Sequence, residues 1–223
     1  MTKKQCYSFY HRFSFWEHLT EREKDLLAEN THCLSYRANE AIQSEKSSCL
    51  GTIFIRKGIL RVYLLSEDGR EATLYRLRDN DVCTLSASCM LSSITFDVQI
   101  DAETDCDLFL LPAPFFSSFM KQNIYVENFI YKLTTEHFSD VIHALERTFF
   151  LTLRQRIIAF LLDESAQENT SVLTITQEHL AKDIGSARES VSRILKQLSS
   201  EGSLKVSRKG IELLDKKRLY REL

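Results

Sequence analysis

Arg188, Glu189, Ser192, Arg193 and Lys196 stand at helical intervals within the stretch Ile175–Ser199, ITQEHLAKDIGSARESVSRILKQLS. At roughly 100° per residue they fall on one face of a single helix. That set can read base edges. Arginine grips guanine O6 and N7 with two hydrogen bonds, glutamate accepts from cytosine N4, and serine and lysine hold phosphates. The pattern predicts contact with DNA rather than catalysis.

Two short helices must position these groups. Thr176 stands where an N-cap belongs, and Ile175 and Leu180 are spaced for a hydrophobic staple across it. Leu180, small Ala181 and Ile184 share a face. Gly185 lets the chain leave the first helix. Ser186 with Glu189 has the spacing of a capping box opening the second helix. There Val191, Ile194, Leu195 and Leu198 form the buried stripe. Glu189 therefore has two open readings, a capping carboxylate or a base contact. Thr176, Gln177, Ser186 and Ser190, around the two helix starts, complete the predicted DNA-contacting set. An ordinary solvated helix surface would look similar, so the following segment matters. Leu204–Leu214 reads as two short strands around the basic turn Ser207–Gly210. This is the wing of a winged helix, and Arg208 and Lys209 are placed to meet phosphate.

Charge supports the assignment once it is divided. The net charge of −2 conceals 16 Lys+Arg against 21 Asp+Glu in residues 1–150, and 13 against 10 in residues 151–223. The excess of basic groups lies with the helix pair. Hydrophobic residues make up 43% of the 223, enough for real cores. We find neither a signal peptide nor an apolar run long enough to cross a membrane, so a cytoplasmic protein is expected.

The front of the chain has another texture. Residues 9–35 read as helical, with Phe13, Phe15, Trp16, Leu19, Leu26 and Leu27 as apolar positions and Thr20–Glu23 as a capping box. From about Ala41 to Leu111, short strands alternate with turns, which predicts an antiparallel barrel or roll. Pro112 and Pro114 stop it and favour a helix start. A long helix follows from about Ile124 to Thr148. Its stripe of Val126, Ile130, Leu133, His137, Val141 and Leu145 fits either packing on its own barrel or a dimer seam. The seam is the preferred reading, because a two-fold axis sets two recognition helices about 34 Å apart, one DNA turn.

A β-roll, a long dimer helix and a C-terminal winged helix, in this order, resemble the Crp/Fnr family of bacterial transcription regulators over nearly the whole chain. Arg188-Glu189-x-x-Ser192-Arg193 stands where that family keeps its base-reading residues. Glu, Ser and Arg at these spacings read a TTGAT-like half-site there, and an Arg-Glu pair followed by Arg reads a TGTGA-like one. The resemblance therefore implies a palindromic operator with TGA-containing half-sites. Phe150–Leu162 resembles the family's first helix after the hinge. We place a roll domain with N-terminal helices at 1–120, the long helix and hinge at 121–148, and a winged helix-turn-helix at 149–223.

The resemblance weakens at the effector. Members that bind cyclic AMP carry a Gly-Glu pair and then an Arg followed by Ser or Thr. In Asp81–Val98 the Gly-Glu pair is absent, Thr84-Leu85 stands near its place, and Phe96-Asp97 holds the Arg position. An Asp there repels phosphate. An effector other than cyclic AMP is expected, in a pocket built from Arg76, Cys83, Leu85, Ser86, Cys89, Phe96 and Val98. The six cysteines read as reduced thiols. Only Cys6 lies near the N-terminus, where iron–sulfur members cluster theirs. Cys83 and Cys89 fit small buried hydrophobes, a thiol-lined pocket, or a metal or redox sensor. Among the six histidines none sits in a haem-binding motif, and His137 on the stripe fits a pH-sensitive dimer contact.

The expectation is an α+β homodimeric transcription regulator. Its roll senses a small-molecule or redox effector, and its winged helices bind double-stranded DNA. RNA polymerase is an expected partner if it activates. No membrane, cofactor, metal site or catalytic residue is expected, since no triad spacing, ligand motif or phosphate loop is found. The competing reading is a ligand-binding or interaction module whose winged helix no longer reads DNA. Arg188 and Arg193 on one face argue against that.

Overall fold

The computed structural model describes residues 3–43, 50–84 and 98–223. They form helices α1 (Lys3–Tyr10), α2 (Glu21–Glu29), α3 (Ala113–Gln122), α4 (Ile124–Phe150), α5 (Leu153–Gln167), α6 (Gln177–Ile184), α7 (Arg188–Ser200) and α8 (Lys216–Tyr220). The strands are β1 (His32–Tyr36), β2 (Ala41–Gln43), β3 (Gly51–Lys57), β4 (Leu60–Leu65), β5 (Glu71–Leu77), β6 (Val82–Cys83), β7 (Gln99–Ala102), β8 (Cys106–Pro112), β9 (Val172–Leu173), β10 (Leu204–Ser207) and β11 (Gly210–Leu213). By contacts the chain divides into two compact units, 1–64 with 74–141 and 65–73 with 142–223, parting inside α4.

The first unit is the roll. One sheet runs β1-β8-β3-β6 and the other β2-β7-β4-β5. Period-two alternation gives each sheet an inner face. Ile53, Ile55 and Leu108 meet Ile42, Leu60, Val62, Ile100, Tyr75 and Leu77 in a core between the sheets. The outer face of the first sheet turns Phe54, Phe109 and Leu111 toward the N-terminal helices and α3. Thr20 and Glu23 form the capping box expected at α2. Helical reading of residues 9–35 extended too far. Between residues 11 and 35 only Trp16–His18, a 3-10 turn, and α2 are helical, and His32–Tyr36 is a strand. That strand is created by pairing with β8, His32 opposite Leu110 and Tyr36 opposite Cys106. Local periodicity carries no trace of such a partner.

The long helix forms, but its expected seam is already used. Val126 and Ile130 are buried in the core under the N-terminal helices, with Leu133 packed against it. His137 is 9% exposed, and Val141 packs against the inter-sheet core. The roll covers five of the six stripe residues within one chain, and only Leu145 is exposed. A different stripe faces outward. Ile124, Tyr131, Phe138, Leu145 and Phe149 are exposed at 67, 52, 64, 40 and 76%, and Ile142 at 37%. The two stripes lie roughly 120° apart around the helix.

The second unit contains the winged helix. Its core joins Ile157, Ile158, Leu161 and Leu162 of α5, Leu180 and Ala181 of α6, Val191, Leu195 and Leu198 of α7, and Leu204, Ile211 and Leu213 of the wing. A second capping box, Thr152 with Gln155, opens α5. Among the described residues no helix is long and apolar enough to cross a membrane.

Candidate nucleic-acid interface

Helices α6 and α7 are joined by Gly185 in the left-handed conformation, φ 65° and ψ 45°. A side chain there is strained, so glycine suits the turn. Thr176 caps α6 by accepting from the His179 N–H at 3.1 Å. The expected Ser186 cap is absent. The N-cap of α7 is Ala187, with no side-chain cap, because the helix starts one residue later. The Ser186 N–H instead donates to the Ala181 carbonyl at 2.9 Å and closes the preceding helix. This releases Glu189 from the capping role and leaves it for the outward face.

The buried stripe fixes how α7 is rotated. Val191, Leu195 and Leu198 are each 0% exposed, which turns Arg188, Glu189, Arg193 and Lys196 to solvent. Among the described residues these four side chains make no hydrogen bond or ion pair within the chain. With Gln177 and Ser192 they line an open concavity of about 400 Å³. Thr176, Ser186 and Ser190 do not line it. Thr176 is occupied with its cap, and Ser190 is half-buried.

Neighbouring cations behave differently. Arg154 bonds Glu201 at 2.6 and 3.1 Å and Glu222 at 2.7 and 2.9 Å, which ties α5 to the end of α7 and to the C-terminus. Its guanidinium holds both carboxyls below the usual range. Arg156 donates to the Ile184 carbonyl at 3.0 Å, at the end of α6. Two arginines of α5 thus brace the helix pair, while two on α7 stay uncommitted.

The wing forms as expected. β10 and β11 pair from Leu204 opposite Leu213 to Ser207 opposite Gly210, and β9 pairs with β11. Gly210 has φ 125°, and a Cβ there would lie 2.0 Å from the Leu173 carbonyl oxygen. Only glycine lets the wing approach β9 this closely. Arg208 and Lys209 are exposed at the tip.

The expected effector residues are only partly brought together. Cys83 and Val98 are buried between the sheets. Leu85, Ser86, Cys89 and Phe96 lie outside the described residues. Arg76 alternates with inward-facing Tyr75 and Leu77, so it occupies the other face of β5. It binds Glu103 through two bonds of 2.6 and 3.0 Å. The structure adds a group that the sequence did not reveal. Tyr75 stacks on His137 with ring centroids 4.8 Å apart, and His137 Nδ1 lies 3.2 Å from the Thr84 hydroxyl. Burial holds the His137 imidazole below its ordinary range, against the pull of Asp140, Asp81 and Glu136. The buried Tyr75 hydroxyl has no hydrogen-bond partner among the described residues. Alternation in β5 could have marked Tyr75 as inward, but nothing local links it to α4. No group of three or more metal-ligating side chains is found among the described residues.

Comparison with known proteins agrees with this geometry. Residues 33–123 match the family of cyclic nucleotide-binding domains, and residues 155–222 match the Crp-like helix-turn-helix domain. A crystal structure of a protein described as a transcriptional regulator of the Crp/Fnr family from Eubacterium rectale is 39% identical, with a TM-score of 0.89, covering 95% of this chain and 98% of that one. The c-di-GMP-responsive global regulator CLP from Xanthomonas campestris shares the fold at 19% identity, with a TM-score of 0.73 over 87% of this chain and 99% of its own. FixK2 from Bradyrhizobium japonicum does so at 21% identity and a TM-score of 0.66, over 86% and 96%. Comparison with curated proteins gave no match.

Proposed function

Because this chain belongs to the Crp/Fnr family of transcription regulators, whose members bind DNA and act as dimers, we propose that it is a homodimer that reads TGA-containing half-sites of a palindromic operator through α7. The observation that carries this reading is the outward face of α7, where Arg188, Glu189, Arg193 and Lys196 are exposed with no partner among the described residues. A helix of 13 residues is about 20 Å long and fits the major groove. Arg188 and Arg193 take guanine edges, Glu189 accepts from cytosine, and Ser192, Lys196 and Gln177 complete the contact surface. Thr176, Ser186 and Ser190 lie at the helix starts, near backbone phosphate, and Arg208 and Lys209 meet phosphate from the wing.

The two-fold axis runs along the outward stripe of α4. Ile124, Tyr131, Phe138 and Leu145 alternate with Asn128, Thr135, Ile142 and Phe149 at intervals of four and three. That spacing is the heptad of a two-helix seam. The exposure of the apolar members supports it.

The roll controls the DNA-binding arrangement by population shift, through an effector that favours one state. Cyclic AMP is not that effector. The Gly-Glu pair of cyclic-AMP-binding members is missing from the sequence, and Arg76 is committed to Glu103. RNA polymerase is the further partner if the protein activates transcription.

Fluorescence anisotropy tests the reading. Binding to a duplex with two inverted TGA-containing half-sites should exceed binding to a scrambled duplex by at least about 10³-fold at physiological salt. Equal affinities overturn sequence-specific reading. Micromolar cyclic AMP binding by calorimetry overturns the effector assignment alone.

A further inference from the structure

Six cysteines are scattered along the sequence, and two of them, Cys6 on α1 and Cys33 on β1, lie on elements that both pack on β8. Cys6 lies on α1, one helical turn before Phe9 and Tyr10, and all three are buried. Phe9 stands 4.8 Å from Phe109, ring to ring, so this face of α1 packs on β8. Phe109 is the register partner of Cys33 on β1, so Cys33 points to the same side of the sheet as the helix. The connection is closed a second time. The Cys6 thiol donates to the Ala28 carbonyl at 3.9 Å, at the end of α2 just before β1. Thr31 also lies 3.1 Å from the Tyr10 hydroxyl, one turn along α1. Cys33 follows Thr31 by two residues.

The two thiols differ as a reacting pair should. Cys33 is exposed, on a strand at the sheet edge, and lines an open groove with Gln5, the neighbour of Cys6. Cys6 is 1% exposed. Burial and the nearby Cys33 both push the Cys6 thiol above its ordinary range. Cys33 is the exposed sulfur of the two and the one an oxidant reaches first.

We propose that Cys33 and Cys6 form a thiol modification site for hydroperoxides, with Cys33 the reacting and Cys6 the resolving sulfur, closing a disulfide that pins α1 to β1. In the first step the Cys33 sulfur attacks the outer oxygen of the hydroperoxide and the O–O bond breaks. Cys33 becomes a sulfenic acid, and the alkoxide leaves with the thiol proton as an alcohol (water, for hydrogen peroxide). In the second step the Cys6 sulfur attacks the sulfenic sulfur. The S–O bond breaks, hydroxide leaves with the Cys6 proton as water, and the S–S bond forms. Two electrons pass from the two sulfurs to one hydroperoxide. The oxidation of Cys83 or Cys89 is a separate matter, and no step here depends on DNA reading.

The test is peptide mapping of the full-length protein after treatment with hydrogen peroxide and quenching with N-ethylmaleimide under denaturing conditions. A linked peptide joining Cys6 to Cys33, reversed by dithiothreitol, is expected. In Cys33→Ser, a change at an exposed position, Cys6 should remain fully alkylated after the same treatment. In Cys6→Ser, Cys33 should pass on to sulfinic acid. Should Cys6→Ser fail to fold, wild type and Cys33→Ser decide the matter. Sulfinic Cys33 beside alkylated Cys6 in the wild type overturns the proposal, as does a bond from Cys33 to any other cysteine or to a second chain.

Discussion

Helix α7 has one apolar stripe and α4 has two. In α7 Val191, Leu195 and Leu198 are sealed in the core, and the remaining face is charged and exposed. In α4 Val126 and Ile130 are equally sealed, yet Tyr131, Phe138, Leu145 and Phe149 remain exposed on another side. The difference teaches what an outward face is for. Exposed charged side chains on α7 suit hydrogen-bonding groups, and exposed apolar side chains on α4 suit another apolar surface. Each helix spends one face on its own unit and offers the other to something outside the chain.

The largest expected effect strikes the outer face of α4. Phe138→Asp combined with Leu145→Asp should convert the dimer to monomer by sedimentation and lower affinity for a two-half-site duplex by about 10²–10⁴-fold, as avidity is lost. A variant that stays dimeric would place the axis elsewhere. On the inner face, Ile130→Ala should cost about 2–5 kcal/mol in chemical denaturation, since it opens a cavity in a filled core. Its subunits should associate as before once folded, and an effect on association rather than stability would merge the two stripes.

The charged face of α7 is sharpened by a pair of variants. Arg193→Ala should cost about 1–3 kcal/mol of operator binding and relax selectivity at one base. Arg208→Ala in the wing should weaken all sequences alike and reduce the salt slope by about one unit. The same response to both changes on specific and random DNA would abolish the distinction between a reading helix and a phosphate-holding wing.

The smallest effect concerns His137 on the inner side of α4. Its folded-state affinity for protons is depressed by burial, so the unfolded chain binds the proton more readily. Stability from the neutral ring is therefore present above the ordinary imidazole value of about 6.5 and is lost as pH falls below it. Melting curves should show a decline on acidification that is shallower in His137→Asn. An identical slope in both proteins would remove His137 as its source.

Sequence and fold agree best where the signal is local. The Thr20 and Thr176 caps, Gly185, the two prolines before α3 and the basic turn of the wing could all be read from neighbours in the chain. Ser186 was a nearer miss. A residue pair with capping-box spacing does not cap when the helix begins one position later, and spacing alone does not fix that frame. Non-local features were hidden. Whether Val126 and Ile130 meet their own roll or a second subunit depends on a partner surface, and residue type is the same in both cases. Arg76 looked available until Glu103, on a distant segment, was placed beside it. Tyr75 and His137 lie 62 positions apart in sequence and meet only in the folded roll.

Selection of bound duplexes from random DNA, with wild type and Arg193→Ala in parallel, tests the central claim most directly. Wild type should enrich an inverted repeat whose half-sites contain TGA, with centres one helical turn of about 10 base pairs apart. Arg193→Ala should enrich the same repeat with one position degenerate in each half. A pool that shows no inverted repeat, or a motif unchanged by the substitution, would contradict the assignment of α7 as the reader.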